Sequence, residues 1–325
     1  MGKVVVLTTG GTIASVNSAQ DGLYSSGRLT GGQLLAMQDL GLSCPVDIES
    51  VFQLPSNHLT FELLLELRDR AAEALANPEV DGVAITHGTD TLEESCYFLD
   101  LTLDSDKPVV MTGSQRVPSE LGTDSFVNIR QAVLAAASPQ TRGMGVLVLF
   151  NERLYTARRV RKAHSFNPQA FTSFGYGYVG YVDKADVSVY QRPIARECHA
   201  PRPPFPRVEI FKATLGGDGA LIDAATAAGA QGLVLEGEGR GHIPPAACEA
   251  VSRAVAQGVK VIVTTTCEEG RVYPVYDFAG GVRDLTARGA IPGGDYDAKK
   301  ARVKLAVLLA AGVRDDAALA AAFAR

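Results

Sequence analysis

No CxxC pair, no HExxH and no run of about 20 unbroken apolar residues occurs in this chain. The last of these absences excludes a membrane-spanning helix. The start, Met1-Gly2-Lys3, enters a strand-like stretch directly, with no separate hydrophobic segment and cleavage site, and predicts a cytoplasmic protein. Five cysteines (Cys44, Cys96, Cys198, Cys248, Cys267) are odd in number and scattered. That pattern fits reduced, mostly buried thiols better than a disulfide framework or a zinc site. The histidines (His58, His87, His164, His199, His242) are equally dispersed, so neither a metal nor another cofactor is expected. Excess positive charge is lacking too. With 31 Lys+Arg against 36 Asp+Glu, the formal net charge is -5, and nothing electrostatic favours nucleic acid or anionic membrane.

What is present is an ordinary globular balance, 46% hydrophobic and 21% charged residues. At 325 residues the chain exceeds one typical core, so two domains or one large α/β domain are expected. One composition shift is sharp. Residues 191–207, "QRPIARECHAPRPPFPR", hold five prolines, which remove backbone donors and disfavour helix in the residue before each. The stretch reads as an extended linker between domains at 1–190 and 208–325. Before it, apolar β-branched runs end in polar or glycine-rich loops: "VVVL" in TTGGT, "GVAIT" in HGTDT, "KPVVMT" in GSQR, "GVLVLF" in NER. Helical patterns lie at 61–76, 92–103 and 126–137. After the linker the alternation resumes, with helices at 220–228 and 246–256 and two alanine-rich helices at the end. Such alternation predicts largely parallel sheets covered by helices, with ligands beyond the carboxyl ends of the strands.

Those ends hold the candidate chemistry. The loop "TTGGTIAS", residues 8–15, contains neither GxxxxGK[ST] nor GxGxxG, so a phosphate cradle is weakly supported. A tight turn with satisfied threonines and a reactive reading stay open. In the second, Gly10 and Gly11 admit a substrate close to the backbone and Thr12 offers a hydroxyl nucleophile. In "THGTDTLEES", residues 86–95, Thr91 and Glu94 have capping-box spacing, which starts a helix just after Asp90. A carboxylate ligand would be welcome at that helix end, in front of Thr89 and Asp90. A cap alone does not require His87, Gly88 and Thr89 as well. In "ARRVRKAHSF", residues 157–166, four cations fit a solvated face, yet a desolvated lysine is also the base a threonine hydroxyl needs. "LEGEGRGH", residues 235–242, reads as a glycine-permitted turn rather than a phosphate loop.

Together "TTGGTIAS", "THGTDTLEESCYFLDLTL" and "KPVVMTGSQR" resemble the bacterial-type L-asparaginase (asparaginase/glutaminase) family, and the similarity extends over the whole chain to "PGGDYDAKKARVKLAVLLA". The resemblance implies two Rossmann-like α/β domains, the larger N-terminal and the smaller C-terminal. It implies cofactor-free hydrolysis of the side-chain amide of L-asparagine to aspartate and ammonia. Carried over by position, Thr12 is the nucleophile and Tyr24, in a lid at 15–29, helps activate it. Thr89, Lys162 and Asp90 form a hydroxyl–amine–carboxylate relay. Ser56 holds the substrate α-carboxylate and Asp90 its α-ammonium, with Asn57, Gly11, Gly88 and Ser114 completing the binding set.

Departures from the family pattern bear on selectivity. Asn57 stands where periplasmic-type members commonly carry glutamine or glutamate, and Ser114-Gln115 resembles the cytoplasmic-type branch, whose loop backbone adds to the oxyanion site. Periplasmic-type members lend an asparagine from a neighbouring subunit; Leu215 falls near that place, and Asp277 near an acidic partner. The implied partner is a second copy, in a dimer or tetramer. Alternatives are a broad glutaminase-asparaginase and, from another class, an amino-acid-binding sensor without turnover. Ammonia release separates them. An amidotransferase subunit acting on charged tRNA is disfavoured, because no extra N-terminal domain or basic face is seen.

Overall fold

The computed structural model describes residues 2–17, 23–25 and 27–324. The chain divides into two compact units, Met1–Cys198 and His199–Arg325. The division falls inside the proline-rich stretch 191–207, which carries neither helix nor strand; we propose that this stretch is the connector.

Unit 1 opens with β1 (Lys3–Gly10), every residue of which after Lys3 is buried. A strand of valines and leucine buried on both faces belongs at the centre of a parallel sheet. The short β2 (Val16–Asn17) and β3 (Tyr24–Ser25) pair with each other, and α1 (Gly31–Ala36) follows, capped by Thr30. Next come β4 (Val46–Leu54) and α2 (Phe61–Ala76), whose N-cap Thr60 accepts the Leu63 N–H at 3.3 Å. Leu64, Leu67, Ala71 and Leu75 form the buried stripe of α2, three to four residues apart as a helix requires. Then β5 (Val80–Thr86), α3 (Leu92–Thr102), β6 (Val109–Thr112), α4 (Ser125–Ala137) and β7 (Val146–Phe150) continue the alternation.

After β7 the expected polar loop is a two-residue hairpin. Asn151 and Glu152 take positive φ (47° and 69°) and return the chain antiparallel as β8 (Arg153–Thr156). Two left-handed residues in succession match the twist of flanking strands, and asparagine tolerates that conformation. The unit ends with β9 (Arg161–Lys162), β10 (Phe171–Thr172), β11 (Gly180–Asp183) and β12 (Asp186–Val189). Its eight-stranded sheet runs β12-β11-β8-β7-β6-β5-β1-β4, parallel from β7 to β4 and antiparallel from β7 to β12. Val4, Val6, Ala84, Val110 and Leu147 share a core with Ala132, Val133 and Ala136 of α4.

Unit 2 holds β13 (Val208–Lys212), α5 (Ala220–Ala227), β14 (Gly232–Gly237), α6 (Cys248–Ala256), β15 (Lys260–Thr265), α7 (Val282–Ala287), β16 (Ile291–Pro292), α8 (Ala298–Ala310) and α9 (Asp316–Phe323). Its sheet, β13-β14-β15-β16, is parallel throughout. Leu233, Leu235, Val261 and Val263 pack with Val251 and Ala254 of α6. Both units are therefore α/β layers. After β14, Glu238 and His242 exchange backbone hydrogen bonds at 2.8 and 2.9 Å, so "LEGEGRGH" closes on itself as a turn.

Candidate active site

Four adjacent parallel strands, β6, β5, β1 and β4, deliver their following loops to one edge of the unit 1 sheet. β1 gives TGGT, β4 gives LPSN, β5 gives HGTD and β6 gives TGSQ. Gly11, at φ 82°, leads into one 3-10 turn at Thr12–Ala14, and its N–H donates to Leu54 O at 3.1 Å. A Cβ on Gly11 would stand 2.5 Å from Gly88 N, and a Cβ on Gly88 would stand 2.8 Å from Ser56 Oγ. The three loops touch because those two positions carry no side chain. Thr12 directly follows one glycine of this contact, and Thr89 the other.

Thr89 is buried, and its Oγ1 accepts from Lys162 Nζ at 2.9 Å; the same ammonium donates to Asp90 Oδ1 at 2.8 Å. The lysine side chain is 14% exposed and the Asp90 side chain 71%. Lys162 comes from β9, paired through Phe171 with β10, and reaches across to the N-terminal end of α3. The hydroxyl, amine and carboxylate anticipated as a relay are thus in direct contact.

The remaining anticipated residues separate into two groups. Ser56 is 4% exposed and borders Gly88, whereas Asn57 beside it is exposed. Ser114 is fully buried; its Oγ donates to Arg116 O at 2.8 Å and meets Ser125 Oγ at 3.0 Å. Its hydroxyl is therefore engaged within the fold. The TGSQ loop is held by Asp124, whose carboxylate accepts the N–H groups of Gln115 and Arg116 at 3.0 Å each. Tyr24 sits on β3, is 55% exposed and makes no hydrogen bond to Thr12 among the described residues. Of the anticipated lid, residues 18–22 and 26 lie outside the described residues. In unit 2, Leu215 is 99% exposed and Asp277 pairs with Arg283 at 3.6 Å.

Two family models cover nearly all of the chain. The one described as "Asparaginase, N-terminal" matches residues 3–195, and "Glutaminase/Asparaginase C-terminal domain" matches 207–323. The chain belongs to the asparaginase family. It is 48% identical to the L-asparaginase of Bacillus licheniformis over 96% of this chain and 98% of that protein. It is 35% identical to L-asparaginase 2 of Bacillus subtilis, over 94% of this chain and 82% of that protein. Among solved structures it resembles the probable cytoplasmic L-asparaginase of Campylobacter jejuni, with a TM-score of 0.89, 30% identity and both chains covered completely.

Within this asparaginase fold, three residues at the loop cluster make contacts that the sequence pattern does not give. Thr91 forms no side-chain cap; its hydroxyl donates to Ser56 O at 2.8 Å and ties the HGTD loop to LPSN. The spacing to Glu94 marked the helix start correctly, but the capping box is not made. Glu93, 3% exposed in the first turn of α3, accepts the Lys162 backbone N–H at 2.8 Å. His87 is fully buried, and its Nδ1–H donates to Gly88 O at 2.6 Å. Burial holds this imidazole well below its ordinary range, at about 4, against an opposing pull from that hydrogen bond. No metal-holding group of three or more His, Cys, Asp or Glu occurs among the described residues. None of their helices is long and apolar enough to cross a membrane.

Proposed function

We infer that this chain is an L-asparaginase, hydrolysing the side-chain amide of L-asparagine to L-aspartate and ammonia. The observation that carries the reading is the Thr89–Lys162–Asp90 contact set beside the Gly11–Gly88 approach. In the proposed reaction Thr12 Oγ attacks the amide carbon, its proton passes through the relay to the amide nitrogen, and the C–N bond of the tetrahedral intermediate breaks to release ammonia and leave a threonyl ester. Water then hydrolyses the threonyl ester to release aspartate. A threonine hydroxyl is too weak an acid to attack alone. The Thr89–Lys162 pair supplies a proton path at the neighbouring loop, and Tyr24 is the candidate to join Thr12 to it when substrate is bound. Ser56 takes the α-carboxylate and Asp90 the α-ammonium. Gly11, Gly88 and the Ser114 backbone shape the acyl site. Asn57 lies beside the clamp.

The homo-oligomer is part of the same proposal. In unit 2, Tyr273, Val275, Tyr276 and Phe278 expose 44–52% of their surface within six residues, and a second copy would cover them. No disulfide joins the five cysteines, three buried and two exposed, which supports a reducing cytoplasm. Ammonia release from asparagine and from glutamine, measured side by side, tests the assignment. Ligand-induced stabilisation without ammonia would replace the enzyme by a sensor.

A further inference from the structure

The relay is divided between two segments that are 73 residues apart in sequence. Thr89 and Asp90 belong to the turn that opens α3, while Lys162 sits on β9, a two-residue strand whose one partner is the equally short β10. So short a ladder holds its register weakly by itself. Yet the Lys162 Nζ must be placed within hydrogen-bond distance of two acceptors. A second link between the segments runs beneath the side chains: Glu93 Oε2 accepts the Lys162 backbone N–H at 2.8 Å. Glu93 lies in the first turn of α3, four residues after Thr89, and is 3% exposed. Burying a carboxylate is unfavourable unless hydrogen bonds satisfy it, so its oxygen has a strong preference for this donor. Nearby, Cys96 Sγ contacts Ala157 O at 3.8 Å, so the segment leading to β9 packs on the same face of α3.

We propose that Glu93 is the positioning residue of the relay, fixing the Lys162 backbone on α3 so that Nζ reaches Thr89 and Asp90. The proposal rests on the reading of Lys162 given above and deepens it. Glu93 acts through Lys162 and touches no substrate. The hydrogen bond that its carboxylate oxygen accepts from the Lys162 backbone is what the geometry uses.

Glu93→Ala, Glu93→Gln and Glu93→Asp are made in the natural chain, and Glu93→Ala also with Lys162→Met. A relay group displaced by about 1 Å loses about a hundredfold in rate. Glu93→Ala is therefore expected to lower kcat by about that factor, with KM within about threefold. Glu93→Gln, whose amide oxygen accepts the same N–H, should recover most of kcat, while Glu93→Asp keeps the charge but falls short and should not. In Lys162→Met, assayed at high enzyme concentration, adding Glu93→Ala should cost no more than about twofold, because its target is gone. Equal losses in both backgrounds, an undiminished kcat in Glu93→Ala, or an active Asp variant beside a dead Gln variant would each overturn the proposal. If Glu93→Ala does not fold, the Gln and Asp variants decide it. Full activity in Lys162→Met alone would instead overturn the underlying reading of the lysine.

Discussion

Lys162 Nζ stands 2.9 Å from Thr89 Oγ1, with Asp90 Oδ1 a further acceptor at 2.8 Å. With the Asp90 side chain 71% exposed, this ion pair contributes about 1 kcal/mol or less to stability. The arrangement is therefore poorly explained by folding, which supports the proposed proton handling.

Relay behaviour gives the first prediction. Thr89→Val and Lys162→Met should each lose several orders of magnitude in kcat while unfolding near the natural midpoint. The double variant should be little worse than either, because groups acting as one unit are not additive. Steady-state kinetics of the four proteins checks this; fully additive losses would remove the relay.

Thr12 follows the Gly11–Gly88 contact directly. Thr12→Ala should fold and still bind aspartate, yet release ammonia several orders of magnitude more slowly, since covalent attack loses its nucleophile. Thr12→Ser, which keeps the hydroxyl, should retain measurable turnover. A Thr12→Ala variant within tenfold of the natural enzyme would move the nucleophile elsewhere.

The contact itself is testable. A methyl group at Gly11 would meet Gly88 N at 2.5 Å and sit on a residue with φ 82°, so two loops would have to separate. Gly11→Ala should lower stability by roughly 1–3 kcal/mol and depress kcat together with substrate affinity. Chemical denaturation beside an activity assay reads both. Unchanged values would show that the loops part freely.

Much of this was legible in the sequence where chemistry is local. The valine-rich strands, the helical pattern at 61–76, and the TGGT and HGTD loops announce themselves by period and turn chemistry. The β7–β8 hairpin was missed because "NER" lacks the glycine that usually marks such turns, and Asn151 supplied the conformation instead. Thr91 misled because capping spacing specifies where a helix starts, not which acceptor a hydroxyl prefers when Ser56 O is brought within reach. Glu93 and Lys162 are joined by tertiary packing alone, and nothing in "LEES" distinguishes the buried glutamate from its neighbour.

His87 yields a pH dependence with a definite sign. Its folded-state value of about 4 lies below the ordinary value of 6.5, because burial disfavours the imidazolium. The neutral fold is therefore fully favoured above pH 6.5, and that contribution is lost as pH falls from 6.5 towards 4, by roughly 3 kcal/mol in total. His87→Asn retains an N–H donor for Gly88 O but does not titrate. Urea midpoints at pH 7.5 and 5 should fall more steeply for the natural chain than for His87→Asn. Equal slopes would mean that His87 is protonated in the fold or exposed.

The proposed clamp predicts the selectivity between asparagine and glutamine. The two substrates differ by one methylene, which a fitted pocket distinguishes by about 1–3 kcal/mol, roughly 10–200-fold. Ser56 is buried with its side chain against Gly88, and Gly88 meets Gly11 backbone to backbone, so the proposed carboxylate site and the proposed nucleophile loop are in close contact. With the α-carboxylate at Ser56 and the α-ammonium at Asp90, the glutamine chain must buckle to bring its amide carbon over Thr12. A displacement of about 1 Å at the reacting atoms costs about a hundredfold. Opposing this, Asn57 is exposed and shorter than the glutamine common at its position in the periplasmic branch, and Asp90 is itself largely exposed. The amino end is thus held less rigidly than the carboxylate end. The close loop contacts outweigh that slack, so asparagine should be preferred by roughly 10–200-fold in kcat/KM, with minor but measurable glutaminase activity. Asn57→Gln should widen the gap by tightening the amino end. Equal kcat/KM for the two amides in the natural enzyme would mean that the slack at Asn57 governs the site, and the broader glutaminase-asparaginase reading would take its place.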